Sequence, residues 1–235
     1  MRKTLLILFL FLAACSQGGK ETNHHSVEKT ETIIDWIDFI KMDGEQYEAL
    51  YTAVIAEEKF IGTKMGEIDF KVSDNIDDPA YRIQNGDAAF WEEGTVVYHI
   101  KNRPDLIAVK DDNEINHYRI YQSDSTEEMW RFEHIDKEDI IKIEIWEDET
   151  NPKRLQTISN EKDINALLAI LEESKQREED VFYENDPDSY GIVLYQEEPI
   201  AYYFPLFHYE GEWYWLPWEE EILTDDIKEY MEDAS

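Results

Sequence analysis

The sequence predicts an α+β protein: a small β-rich N-terminal domain followed by an α+β domain of roughly ββαβββα order. Three observations predict it. Short β-branched and aromatic runs, separated by turn residues, fill residues 33–122. Apolar residues at helical spacing stand out at Ile164, Leu167, Leu168 and Leu171. Strand-like runs then return through residues 190–216, and a short capped segment follows.

The first domain opens on residues 36–51, a hairpin about the turn pair Asp43-Gly44. That turn pairs Met42 with Glu45, Ile40 with Tyr47 and Asp38 with Ala49. Trp36, Ile40, Met42, Tyr47 and Tyr51 then share one face. Further strands are expected at residues 66–72, 95–100, 106–109 and 117–121, with turn-rich stretches at 74–79 and 84–87. Residues 122–128 are polar and break the pattern, so residues 123–137 read as a connecting segment and 138–235 as the second domain.

In that domain Ile141, Ile143 and Ile145 alternate with charged residues, as in a half-buried strand, and residues 154–159 return beside it. Asn160 is a good N-cap, and Glu161 and Asp163 suit the positive end of a helix. A charged loop spans residues 174–189. Three strands follow at 190–195, 200–209 and 212–216. A turn at Glu210-Gly211 sets Leu206 opposite Trp215 and His208 opposite Trp213. Pro205 cannot donate to a ladder, which predicts an edge strand or a bulge. Thr224 caps a final short helix with Ile227, Tyr230 and Met231 turned inward.

The amino terminus carries an address. Arg2 and Lys3 precede an apolar run from Leu5 to Leu12, then Ala13, Ala14 and Cys15. The run is short of the ~20 apolar residues a membrane-spanning helix needs, and the layout is that of a secretory signal. Leu12-Ala13-Ala14-Cys15 resembles the lipobox of bacterial lipoprotein precursors. The resemblance implies a signal peptide over residues 1–14, diacylglyceryl attachment to the Cys15 thiol, and cleavage just before it. Residues 16–32 are polar and read as a tether reaching roughly 20–25 Å. Cys15 is the single cysteine, so lipidation leaves no thiol for catalysis, disulfides or metal. The stretches GEIDFKVSDN, NGDAAFWEEGTVVYHI and GEWYWLPWEEEI resemble uncharacterised surface lipoproteins of low-GC Gram-positive bacteria. That likeness implies localisation, at the cell membrane and facing the extracytoplasmic side, and brings no activity with it.

The chain holds 55 acidic and 22 basic residues, a net charge of -33. Such a surface excludes nucleic acid as the expected partner, because phosphate binding needs clustered Lys and Arg. No Gly-x-Ser-x-Gly elbow, His-Glu-x-x-His, P-loop or dinucleotide fingerprint is present. No cofactor is expected. Ser159 and Lys162 lack the companion motifs of penicillin-binding enzymes, and Ser159 is better explained at a helix start. A glycosidase needs only two carboxylates across a cleft; Glu92, Glu93, Glu212 and Glu219 are candidates that nothing ranks. Asp74, Asp77 and Asp78, and likewise Asp111, Asp112 and Glu114, cluster as a calcium loop would, yet without EF-hand spacing; solvated turns explain them better. His24 and His25 read as solvated spacer, and His99, His117, His134 and His208 are too scattered for a metal site.

Ten aromatic residues lie from Tyr195 to Trp218. Alternation sends Phe204, Trp213 and Trp215 toward a core against Leu168. Tyr203, Phe207 and Tyr214 fall on the opposite face, the candidate binding face. The expectation is a membrane-anchored surface lipoprotein of binding or accessory type, with no catalytic activity evident. Its partners would be the membrane, through Cys15, and a cell-envelope protein, peptide or glycan. The alternative is an extracytoplasmic hydrolase of cell-wall glycan or peptide using a carboxylate pair.

Overall fold

A computed structural model describes residues 34–127, 129–148, 151–177 and 185–231. Contacts gather these residues into one compact unit. The strands are β1 (Phe39–Met42), β2 (Glu45–Ala49), β3 (Ala53–Ile55), β4 (Ile61–Glu67), β5 (Phe70–Lys71), β6 (Asp87–Ala88), β7 (Val96–Ile100), β8 (Arg103–Lys110) and β9 (Tyr118–Ser123). They continue as β10 (Lys142–Glu147), β11 (Lys153–Ile158), the helix α1 (Glu161–Glu172), β12 (Lys175–Gln176), β13 (Asp188–Tyr195), β14 (Ile200–Tyr209), β15 (Glu212–Trp215) and β16 (Glu221–Ile222).

The expected α+β class is therefore corrected. The protein is mainly β: sixteen strands in two large sheets, with one α-helix among the described residues. The first sheet runs β4-β7-β8-β9-β2-β1-β6-β5, and the second β11-β10-β13-β14-β15-β16-β12 with β3 added against β14. Two features hid the extra sheet. β3, β5, β6, β12 and β16 are two or three residues long, too short to show a period of two. The expected last helix is a six-residue 3₁₀ segment, Asp225–Tyr230, whose Thr224 side chain makes no capping bond. So short a segment gains little from helical hydrogen bonding and is held by packing: Ile227 is buried, with Tyr230 and Met231 against the same core.

Local chemistry explains the hairpins. Asp43 and Gly44 both have positive φ, 51° and 85°, the geometry a two-residue turn between twisted strands requires. The register pairs Met42 with Glu45 and Ile40 with Tyr47. Glu210 and Gly211 repeat the device at 51° and 88°, and Leu206 pairs with Trp215 and His208 with Trp213. Asn160 caps α1 by accepting from the Asp163 amide at 2.9 Å.

The first sheet buries both faces. Ile107, Val109 and Tyr121 face one core with Ile40 and Tyr47, while Leu106, Ala108 and Ile120 face another with Ile55 and Ile200. In the second sheet, Ile143, Ile145, Phe204 and Trp215 pack on the apolar stripe of α1. The other side of that sheet is covered near β3, where Val54, Ala201, Val193 and Tyr195 meet Ile115 and Phe60 from outside the sheet.

β3 joins the sheets. Leu50 donates to the Ile120 carbonyl in the first sheet, and Ile55 then pairs with Ile200 in the second. This places Pro205. β14 is central, with β13 on one side, and on the other β3 at residues 200–202 and β15 at residues 206–209. Tyr203 donates to Thr52 on that second side, so by alternation the missing Pro205 N–H falls there too, at the seam between two partners. Neither an edge nor a bulge is needed. Among the described residues, no helix is long and apolar enough to cross a membrane.

Candidate binding site

Strand alternation divides the aromatic segment as chain geometry demands. Phe204 and Trp215 are fully buried and meet Phe132 edge to face, at 5.9 and 4.9 Å between centroids. Tyr203, Phe207 and Tyr214 lie on the other face, but the structure covers much of it. Tyr214 is buried, stacked on Phe207 at 5.2 Å with the Arg177 guanidinium 5.3 Å from its ring. Tyr203 lies over Gly191, where an added Cβ would stand 2.4 Å from its ring. Its hydroxyl donates to Asp148 at 2.5 Å. Burial, with the Asp148 charge, pushes the Tyr203 phenol well above its usual value. Tyr203 lines a cleft of about 350 Å³ beside Tyr51, Arg119 and Asp148; Phe207 and Tyr214 do not.

The exposed aromatic ring of this segment is Trp218, 61 % exposed. It follows Pro217 just after β15, where the chain leaves the sheet and alternation stops governing direction. The Arg131 guanidinium lies 3.6 Å from its ring centroid, which fixes the indole by a cation–π contact. Beneath it opens a cleft of about 570 Å³ floored by Phe132 and Leu171. Polar groups ring that floor. Lys137 pairs with Glu172 at 3.3 Å and stands 4.6 Å above the Phe132 ring. The Ser174 hydroxyl, with one proton to donate, lies 2.6 Å from the Leu171 carbonyl oxygen and within hydrogen-bond reach of Glu221, and Gln176 donates to Glu219. Glu133 beside Arg131 completes the rim. An apolar floor, a held indole and several carboxylates suit a ligand with a flat C–H face and many donors.

The remaining sequence candidates are dispersed. Glu92 pairs with Lys71 and Glu212 with Arg177; of the four carboxylates singled out, Glu219 alone lines the Trp218 cleft. In the two acidic loops, Asp74 is engaged by Lys71, and Asp111 and Glu114 by Arg119. Among the described residues no group of three His, Cys, Asp or Glu is arranged to hold a metal. His208 stacks on Trp213 at 4.5 Å and faces Asp188 at 3.4 Å. Cys15, His24 and His25 lie outside the described residues.

Sequence alternation alone missed two features. Trp218 stands outside a strand, and its signal was the Pro217 that ends one. Glu144 reads as a solvent-facing residue between Ile143 and Ile145, yet it is 2 % exposed, because the sheet is covered on both sides there. Comparison with known proteins finds no matching family model, curated protein or solved structure.

Proposed function

We propose that this chain is an extracytoplasmic binding protein, held at the cell membrane by lipid on Cys15, and that its Trp218 cleft takes a glycan of the cell envelope. The observation that carries the glycan reading is the exposed indole, clamped by Arg131 at 3.6 Å over an open cleft. A sugar ring lays its C–H face on such an indole and removes apolar surface from water, at ~25 cal/mol per Å². Its hydroxyls donate to carboxylates such as Glu219 and Glu221, which accept only. The anchor reading rests on the lipobox and on a polar tether with no other thiol in the chain. Two acyl chains make such attachment stable, each buried CH₂ contributing ~0.8 kcal/mol.

The test is titration of the purified full-length chain, in detergent, with soluble fragments of envelope glycan, followed by tryptophan fluorescence and calorimetry. Saturable binding weakened roughly tenfold or more by Trp218→Ala supports the reading. Binding indifferent to Trp218→Ala, or no binding, overturns it. Release of sugar, lost in Glu219→Gln, would transfer the same cleft to the hydrolase alternative. Membrane attachment is tested separately: Cys15→Ala should leave the membrane fraction or stay unprocessed, and a normally matured, anchored variant would refute lipidation.

A further inference from the structure

A third cleft, of about 370 Å³, opens where the turn between β8 and β9 meets β10, β11 and β13. Its floor is the buried Glu144. Lys142 Nζ donates to Oε1 at 2.9 Å, Arg154 Nη1 donates to the same oxygen at 3.1 Å, and the Tyr195 hydroxyl donates to Oε2 at 2.7 Å. One carboxylate thus holds two cations side by side, and the trio keeps a net positive charge. Both cations stay accessible, with side-chain exposures of 32 % for Lys142 and 54 % for Arg154. Lys110, 61 % exposed and 3.9 Å from the exposed Asp112 carboxylate, lines the same cleft.

The charge balance is local and unlike the rest of the chain. Lys110, Lys142 and Arg154 meet Glu57, Glu58 and Glu144 there, an even count in a protein of 22 basic and 55 acidic residues. Glu57 is engaged by Lys59, and Glu58 accepts from the Tyr118 hydroxyl at 3.4 Å. A strained turn completes the site. Asn116 and His117 are successive non-glycine residues with φ of 58° and 65°, a conformation that persists only where surroundings enforce it. Here Asn116 Nδ2 donates to the Ile55 carbonyl at 2.9 Å and to Tyr195 Oη at 3.2 Å. The turn is thereby tied to β3 and to the Tyr195 that holds Glu144, and it leaves His117 exposed at the cleft.

We propose that this cleft binds a compact oxyanion, the carboxylate or phosphate group of a ligand. Arg154 and Lys142 are the main donors, and Lys110 closes from the rim. Glu144 is a positioning residue: it spends one donor from each cation to hold the two together. The remaining guanidinium N–H groups form a fork that matches two oxygens of a planar or tetrahedral anion. The chain's long-range field repels anions, so capture rests on donors at contact rather than on steering. This site is separate from the Trp218 cleft and does not depend on the glycan reading.

The experiment is calorimetric titration of the purified full-length chain with inorganic phosphate and, separately, with acetate; the arm that saturates identifies the anion. Arg154→Gln should weaken binding about tenfold and Lys110→Gln about threefold, the scale of one charge-assisted bond and one rim charge. Glu58→Gln, which removes a negative charge from the rim, should tighten binding severalfold, a gain that a merely structural cluster would not produce. Trp218→Ala should change nothing. Each variant is checked for an unchanged circular dichroism spectrum; Lys110 and Glu58 are surface residues whose replacement leaves the core untouched. Absence of saturation by either anion to about 50 mM, or binding indifferent to Arg154→Gln and Lys110→Gln, overturns the proposal.

Discussion

Arg119 in the first sheet and Glu144 in the second are both held within polar clusters, but with opposite excesses. Arg119 is surrounded by carboxylates: Asp38 at 3.2 Å, Asp111 at 3.5 Å and Glu114. Asp38 is itself buried and accepts from the Tyr121 hydroxyl at 3.0 Å, which accepts from Trp91 Nε1 at 2.6 Å. Glu144 is surrounded by cations, with Tyr195 in the place that Tyr121 takes beside Asp38. Each buried carboxylate uses a tyrosine to satisfy an oxygen that water cannot reach. In the first cluster three acids consume one guanidinium. In the second, two cations share one acid and keep donors for something else. An acid-rich chain reaches the first arrangement readily; the second requires basic residues from two neighbouring strands, β10 and β11.

Removing Arg119 should break this comparison hardest. Arg119→Met leaves Asp38 buried without its cation, and the expected cost is about 3–5 kcal/mol in urea unfolding, the scale for an uncompensated buried charge. A loss under about 1 kcal/mol would show that Asp38 finds other solvation.

Glu144→Gln should cost less, about 1–3 kcal/mol, because Lys142 and Arg154 can turn toward water. The pH dependence sharpens the point. Burial pushes the Glu144 carboxyl up, but hydrogen bonds from Lys142 and Tyr195 and the charges of Lys142 and Arg154 outweigh it and hold the carboxyl below its ordinary value. A depressed carboxylate adds stability above its unfolded pKa and loses it as pH falls through the folded one. Unfolding free energy should therefore fall on acidification below about pH 4.5, and less steeply in Glu144→Gln. Parallel curves for the two proteins would deny Glu144 that role.

Lys110→Gln should have the smallest effect, within about 0.5 kcal/mol, since an exposed charge contributes little to folding. A larger loss by thermal unfolding would make Lys110 part of the fold rather than a donor held toward a ligand.

Some of this was legible from residues. Asp43-Gly44 and Glu210-Gly211 set their hairpins because the constraint, positive φ at two adjacent residues, is local. Asn160 and the stripe from Ile164 to Leu171 were readable for the same reason. Covering was not readable. The alternation in IKIEIWE sends Glu144 toward solvent only if one sheet face is open, and the turn carrying Ile115 and Asn116 packs on that face against Tyr195. Tyr203, Phe207 and Tyr214 do share a side, but one of them, Tyr214, is buried and Tyr203 is bound to Asp148. Pro205 reads as an edge residue until β3 and β15 are seen to divide β14 between them.

By itself, then, the sequence determined the turns, the helix with its cap, the alternation of the long strands and the acidic character of the surface. Those depend on dihedral preferences and periodicities that act over a few residues. The tertiary structure decided that the protein is mainly β, that Glu144 is buried among cations, and that Trp218 stands exposed over a cleft. Those follow from which face each strand finds covered, and contacts such as Ile55 with Ile200 join residues too far apart in the chain for local pattern to report.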